Sequence, residues 1–210
     1  MNFNKTIFKN HFVIILFIIA LGGCAASYSP IIPEARKYIS GDSLSPVSFK
    51  YRYDVLSLRG NKRYSKKELK NGLSVVSVKI TNNTDSVINT SNLKLFYGSK
   101  EIIPVNPEAA AMQLKQGTAI YLLYCLLAIY ITKDELVSSG SGVRMEHETT
   151  VIPIGIPIGV GNMIGAGAAN QNLRKEFLKY DISNKNINPH ETIYGIITLK
   201  ETGHEALMLK

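Results

Sequence analysis

Hydrophobic and polar positions alternate differently along three parts of the chain. Met1 to Asn10 carries Lys5 and Lys9 and no acid, and Phe12 to Leu21 follows as an unbroken apolar run. Beyond it, Phe49, Tyr51, Tyr53 and Val55 alternate with polar residues inside 47–58, which predicts a first strand with an aromatic face. Val76, Val78 and Ile80 alternate with Ser77 and Lys79 in a second strand over 73–80, and Asn82-Asn83-Thr84-Asp85 supplies a turn. Short strands are predicted at 87–88, 93–97 and 101–105, with Gly98-Ser99-Lys100 turning between the last two. Near the end, Asn188-Pro189-His190-Glu191 turns the chain into a strand over 193–199. Thr202-Gly203-His204 then leads to 206–209, read as a closing hairpin.

The middle does not read as β. Asn106 can cap a helix whose first position is Pro107, where the missing N–H costs nothing, with Glu108 behind it. The pattern then runs through Ala109-Ala110-Ala111 and Leu114 into the apolar stretch 118–132, with no charge between Lys115 and Lys133. That is near the lower limit for a membrane-spanning helix, which needs roughly 20 apolar residues. A second charge-free stretch spans 149–173. Pro153 and Pro157 predict an extended or irregular first half, and the small residues from Gly161 onward predict a helix to about Tyr180. Gly161 and Gly165, one turn apart, are the candidate helix-packing residues because small side chains let a second helix approach. The expected fold class is α+β, mainly β: an antiparallel β-sandwich with an inserted apolar, Gly-rich helical pair at about 106–182. Two placements of that pair stay open, packed on the sandwich or dipped into a membrane as a hairpin. Tyr124 and Asn162 weigh against lipid, where their polar groups need partners.

The apolar run Phe12 to Leu21 is too short to remain as a spanning helix, and it ends in Leu21-Gly22-Gly23-Cys24. These four residues resemble the lipobox of bacterial lipoproteins. The resemblance implies cleavage between Gly23 and Cys24, with lipidation of Cys24 by several acyl chains. Two or more chains give stable anchoring at about 0.8 kcal/mol per buried CH₂. It divides the chain into a signal peptide (1–23), a lipidated cysteine and tether (24–46) that includes the Pro-containing stretch from Ala25 to about Pro33, and a single domain (47–210). No Asp follows Cys24, which under the enterobacterial sorting scheme implies the outer membrane facing the periplasm.

A second resemblance rests on pattern. The stretch Val75-Val76-Ser77-Val78-Lys79-Ile80-Thr81-Asn82-Asn83-Thr84 and the late strand Tyr194-Gly195-Ile196-Ile197-Thr198-Leu199 after Asn188-Pro189 look like strands of immunoglobulin-like modules of extracytoplasmic lipoproteins. The antibody subclass is excluded, since its core Trp is missing from a chain with 0 Trp and 2 Cys. With Cys24 lipidated, only Cys125 remains, so no disulfide can form within the chain, and Cys125 in its apolar run reads as a small core residue.

Charge changes little. The net +8 includes Lys5 and Lys9 of the leader, and the densest basic stretch, 59–67, reads as a solvated loop between strands or a patch for anionic headgroups. Export leaves no nucleic-acid partner. Gly159, Gly161 and Gly165 with Asp181 beyond them mimic a dinucleotide fingerprint, but Pro153 and Pro157 interrupt the strand it needs, so no cofactor is expected. His147 between Glu146 and Glu148 reads as part of a polar loop, and His190 and His204 as solvent-facing turn residues, so no metal site is expected. The serines of Ser138-Ser139-Gly140-Ser141-Gly142 lack a nucleophile elbow and read as a flexible loop, leaving no catalytic residue to name. Together the resemblances imply a membrane-held, non-catalytic accessory or binding component, with a protein or lipid partner at the insertion. The alternative is a membrane-embedded assembly protein working through the Gly-rich hairpin.

Overall fold

The computed structural model describes residues 25–42, 46–139 and 142–210. The leader and the proposed cleavage and lipidation residues, Gly23 and Cys24, lie outside them. The described chain forms two compact units, one of residues 25–26 with Gly117–Gly167 and one of Ser27–Gln116 with Ala168–Lys210.

The larger unit begins with β1 (Ser40–Asp42) and β2 (Val47–Arg52), followed by the short helix α1 (Val55–Leu58) and α2 (Lys62–Lys70). Then come β3 (Ser74–Asn82), β4 (Ile88–Asn89), β5 (Leu95–Tyr97), β6 (Lys100–Ile102) and the helix α3 (Pro107–Leu114). The smaller unit holds a 3-10 helix (Ala119–Leu126) and the strands β7 (Ile129–Ser139) and β8 (Gly142–Ile152). Helix α4 (Gly155–Lys179) starts in the smaller unit and ends in the larger, which closes with β9 (Asn186–Ile187), β10 (Thr192–Leu199) and β11 (Leu207–Leu209).

Every strand pairing is antiparallel. In the larger unit the order is β1-β2-β3-β10 in one sheet and β11-β5-β6 in another, and β4 pairs with β9. Phe49, Tyr51, Val76, Val78, Ile80, Ile197 and Leu199 of the first sheet share a core with Leu95 and Leu207 of the second. Val75 and Ile196, on the opposite face, join a separate core with Leu56, Tyr64, Leu114, Leu173 and Phe177 from the helices. β3 and the later half of β10 are therefore covered on both faces, which is why they carry Val75-Val76 and Ile196-Ile197 back to back. Gly195 in β10 is needed for closeness: a Cβ there would lie 2.4 Å from Ile182 Cγ2 and 3.2 Å from Val78 Cγ2. The Tyr180 carbonyl meanwhile accepts from Ile196 N at 2.9 Å. A mixed, antiparallel α and β fold is thus established.

Several sequence expectations change. The first strand stops at Arg52 because Asp54 takes a left-handed φ of 59°, and 55–58 becomes helical. The basic stretch expected as a loop contains α2, which buries Tyr64 and Glu68, one turn apart on a single face. β11 does not form a hairpin with β10: it crosses to the second sheet and pairs with β5. The largest correction is the helical pair. α3 starts as expected, with Asn106 Oδ1 accepting from Glu108 N at 2.9 Å and Ala109 N at 3.3 Å, but it ends at Leu114. The β-branched and aromatic run behind it becomes a 3-10 segment and then β7. Segment 129–152, expected as the end of an apolar helix, a polar loop and the extended or irregular start of the second charge-free stretch, is a two-stranded antiparallel ribbon. α4 begins at Gly155, ahead of Pro157, because a proline in the first helical turn removes no hydrogen bond the helix would make. Among the described residues no helix is long and apolar enough to cross a membrane.

Candidate functional site

The stretch expected as part of a tether is laid onto the larger unit from Ser27 onward. Ile31 is fully buried, and the Tyr28 ring meets the Tyr64 ring edge-on at 5.5 Å. Three side chains grip the backbone. The buried carboxylate of Glu176 on α4 accepts from the Tyr28 hydroxyl, from Ile31 N at 3.0 Å and from Ile32 N at 2.9 Å. Successive N–H groups on one carboxylate form an anion-binding nest, with Ile32 in the left-handed region at φ 50° to aim them. Asn61 Oδ1 accepts from Ser29 N at 2.9 Å and its Nδ2 donates to Ser29 O at 2.8 Å, and Arg59 Nε donates to Pro30 O at 2.6 Å. A β-branched residue at positive φ is costly. It is held by contacts that sequence reasoning missed. Their one sequence signal is Glu176, an acid on the stripe Ala169, Leu173, Phe177 that faces the core.

Two further polar groups organise this unit. Asn82, fully buried at the end of β3, donates through Nδ2 to Ser86 O, Ile187 O and Asn188 O. It accepts at Oδ1 from Thr84 N and Thr84 Oγ1, so one amide ties two turns together. Glu68 on α2 is buried and accepts from Val75 N at 2.6 Å; burial pushes its carboxyl up from 4.5 to about 7, against the opposing pull of that hydrogen bond.

Within the same unit lies a half-open cleft of about 530 Å³ between the two sheets, walled by Phe49, Ile80, Leu95, Ile102, Ile103 and Ile197. Lys94 and Glu101, ion-paired at 3.1 Å, stand at its margin with Asp181 and Ser183. Ile103 is 89% exposed, an isoleucine offered to whatever fills the space. The volume falls in the range of small-ligand sites, which are mostly apolar with a few polar groups for orientation.

In the smaller unit, the close approaches are made by Gly155 and Gly159. A Cβ at Gly155 would meet the Tyr124 carbonyl oxygen at 1.5 Å, and one at Gly159 the Tyr121 carbonyl at 2.7 Å. At Gly161 such an atom would meet nothing within 4 Å, and at Gly165 only the Ala25 methyl at 3.5 Å. The small-residue spacing is used, but six residues earlier along the helix than the candidate pair. Asn162 is buried, donating to Ile158 O at 3.0 Å and accepting from Ala25 N at 2.9 Å. Cys125 is a free thiol of intermediate exposure, so the expected core residue is only half enclosed. The described histidines are in three separate exposed places, each against one carboxylate: His147 with Asp134, His190 with Asp85, His204 with Asp54. No group of three or more His, Cys, Asp or Glu side chains placed to hold a metal occurs among the described residues.

Comparison with protein-family models, with curated proteins and with solved structures gave no match.

Proposed function

We propose that this chain is a lipid-anchored lipoprotein of the bacterial envelope that works without catalysis, as a binding component held at a membrane surface. The observation that carries the binding role is the 530 Å³ cleft, whose apolar wall and exposed Ile103 suit an apolar ligand of acyl-chain size. The lipobox-like Leu21-Gly22-Gly23-Cys24 supports the anchor. The Glu176 nest supports a short leash: if lipid is on Cys24, only residues 25 to 27 separate it from Tyr28, the first gripped residue, a reach of about 14 Å. The site then stays beside the bilayer, on the periplasmic face of the outer membrane where the enterobacterial rule applies.

The finer fold belongs to the same proposal. An immunoglobulin-like relationship is supported by the order β2-β3-β10 in one sheet, which corresponds to A-B-E, and β6-β5-β11 in the other, which corresponds to C′-C-F. The helices and the ribbon are then additions to that frame.

The test is to purify the full-length protein from membranes in mild detergent and analyse it by native mass spectrometry, alongside Ile103→Glu. A stoichiometric acyl-bearing adduct in the natural protein that Ile103→Glu loses is the expected result. An adduct-free protein that also fails to bind a fluorescent fatty acid would contradict the binding role.

A further inference from the structure

β7 and β8 form a ribbon with unbroken register from Ile129 opposite Ile152 to Ser139 opposite Gly142. At about 3.4 Å per residue it is about 35 Å long. Apart from the half-buried Ile129, every one of its side chains whose burial is described is exposed. Among the described residues neither strand pairs with anything but the other. A two-stranded ribbon alone is marginal in water. Natural proteins blunt long open edges with prolines, bulges or charges; the paired residues of this ribbon hold no proline or bulge, and their charges are of both signs (Lys133 and Arg144 against Asp134, Glu135, Glu146 and Glu148), so they select a partner edge of matching register.

We propose that this ribbon is an assembly element whose partner is the ribbon of a second copy of this chain, β7 of one lying antiparallel against β8 of the next. The register follows from charge. Within one ribbon Lys133 sits opposite Glu148, but Glu135 sits opposite Glu146, a like-charge pair that costs stability. A neighbouring β8 placed at the same level would repeat that clash on the other side of Glu135. Slipping it two residues toward the 129 end of β7 keeps every side chain on its face. Lys133 then faces Glu146, Glu135 faces Arg144 and Leu136 faces Val143, with pairing from Ile129 opposite Thr150 to Val137 opposite Gly142. The reverse slip sets Glu135 against Glu148.

This joint uses a different edge on each copy, so it propagates from copy to copy and forms a ring where its rotation closes. A constant slip in one direction is the stagger that tilts strands and closes them into a barrel. Charges lie mid-strand on both faces, Lys133, Glu135, Glu146 and Glu148 on one and Asp134 and His147 on the other, so the wall stands in water and not in hydrocarbon. The inference is independent of the cleft.

Two differently tagged full-length chains, both Cys125→Ser, one with Glu135→Cys and one with Arg144→Cys, are co-expressed and their membranes mildly oxidised. The expected result is a disulfide-linked species carrying both tags, and much less of it when Glu146→Cys replaces Arg144→Cys. Arg144→Glu should abolish the oligomer seen by mass photometry in detergent, and adding Glu135→Arg should restore it. Because these residues are exposed, circular dichroism of each variant should match the parent. A monomer at all concentrations overturns the proposal. So does cross-linking of Met145→Cys to itself without the 135–144 link, which would mean a twofold pair of β8 strands.

Discussion

Glu176 and Glu68 are both carboxylates closed off from water in the larger unit, and they differ in what meets them. Glu176 receives three donors from 28–32, whereas Glu68 receives one, from Val75 N. Replacing Glu176 by Ala leaves the Ile31 and Ile32 N–H groups without their acceptor, and an unmet buried donor costs about 1–3 kcal/mol. Glu176→Ala should therefore lower the denaturation midpoint and speed tryptic cleavage after Arg36 and Lys37; an unchanged cleavage rate would mean the clamp does not hold in solution. For Glu68 the folded carboxyl titrates at about 7 against 4.5 ordinarily, so the native state binds the proton more tightly. Its contribution to stability is full below pH 4.5 and is lost as pH rises toward 7, on the order of 3 kcal/mol. Thermal melts at pH 5 and pH 8 should show Glu68→Gln gaining on the parent at the higher pH. Equal differences at the two pH values would contradict this. Sequence reasoning singled out neither residue: Glu68 reads as solvated in its basic stretch, and the signal at Glu176 shows only once Ala169, Leu173 and Phe177 are recognised as its core-facing neighbours.

Elements were legible where a buried face imposed a period. β3 and β10 announce themselves through Val76, Val78, Ile80 and Ile193 to Leu199, and α3 through its Asn106-Pro107 start. The run from Ile120 to Ile131 was not, since an unbroken apolar stretch suits a helix and a strand equally and its β-branched and aromatic residues tip it only weakly. The ribbon was invisible for a different reason: with both faces exposed, no alternation marks it. In the smaller unit, Gly155 and Gly159 decide how the start of α4 meets 121–127. A methyl at Gly155 would fall on backbone, and such overpacking costs about 1–3 kcal/mol. Hydrogen exchange of Gly155→Ala should quicken over 119–127 and remain slow in β3; protection kept at 119–127 would show that the contact is dispensable.

At the scale of the molecule, the proposed role is that of a binding domain kept beside a membrane by lipid on Cys24. Cys24 lies four positions ahead of Tyr28, the first residue the larger unit grips, so a lipid there would be attached close to that unit in sequence. The apolar stretches of the middle are then not needed as anchors, consistent with their building a 3-10 turn, a ribbon and a helix start. The most direct measurement is the intact mass of the amino-terminal tryptic peptide from the membrane fraction, for the natural protein and for Cys24→Ala. The expected result is a peptide that begins at Cys24 and carries several acyl chains, and a Cys24→Ala protein that is neither acylated nor processed there. An unmodified Cys24, or a peptide starting elsewhere, would contradict it.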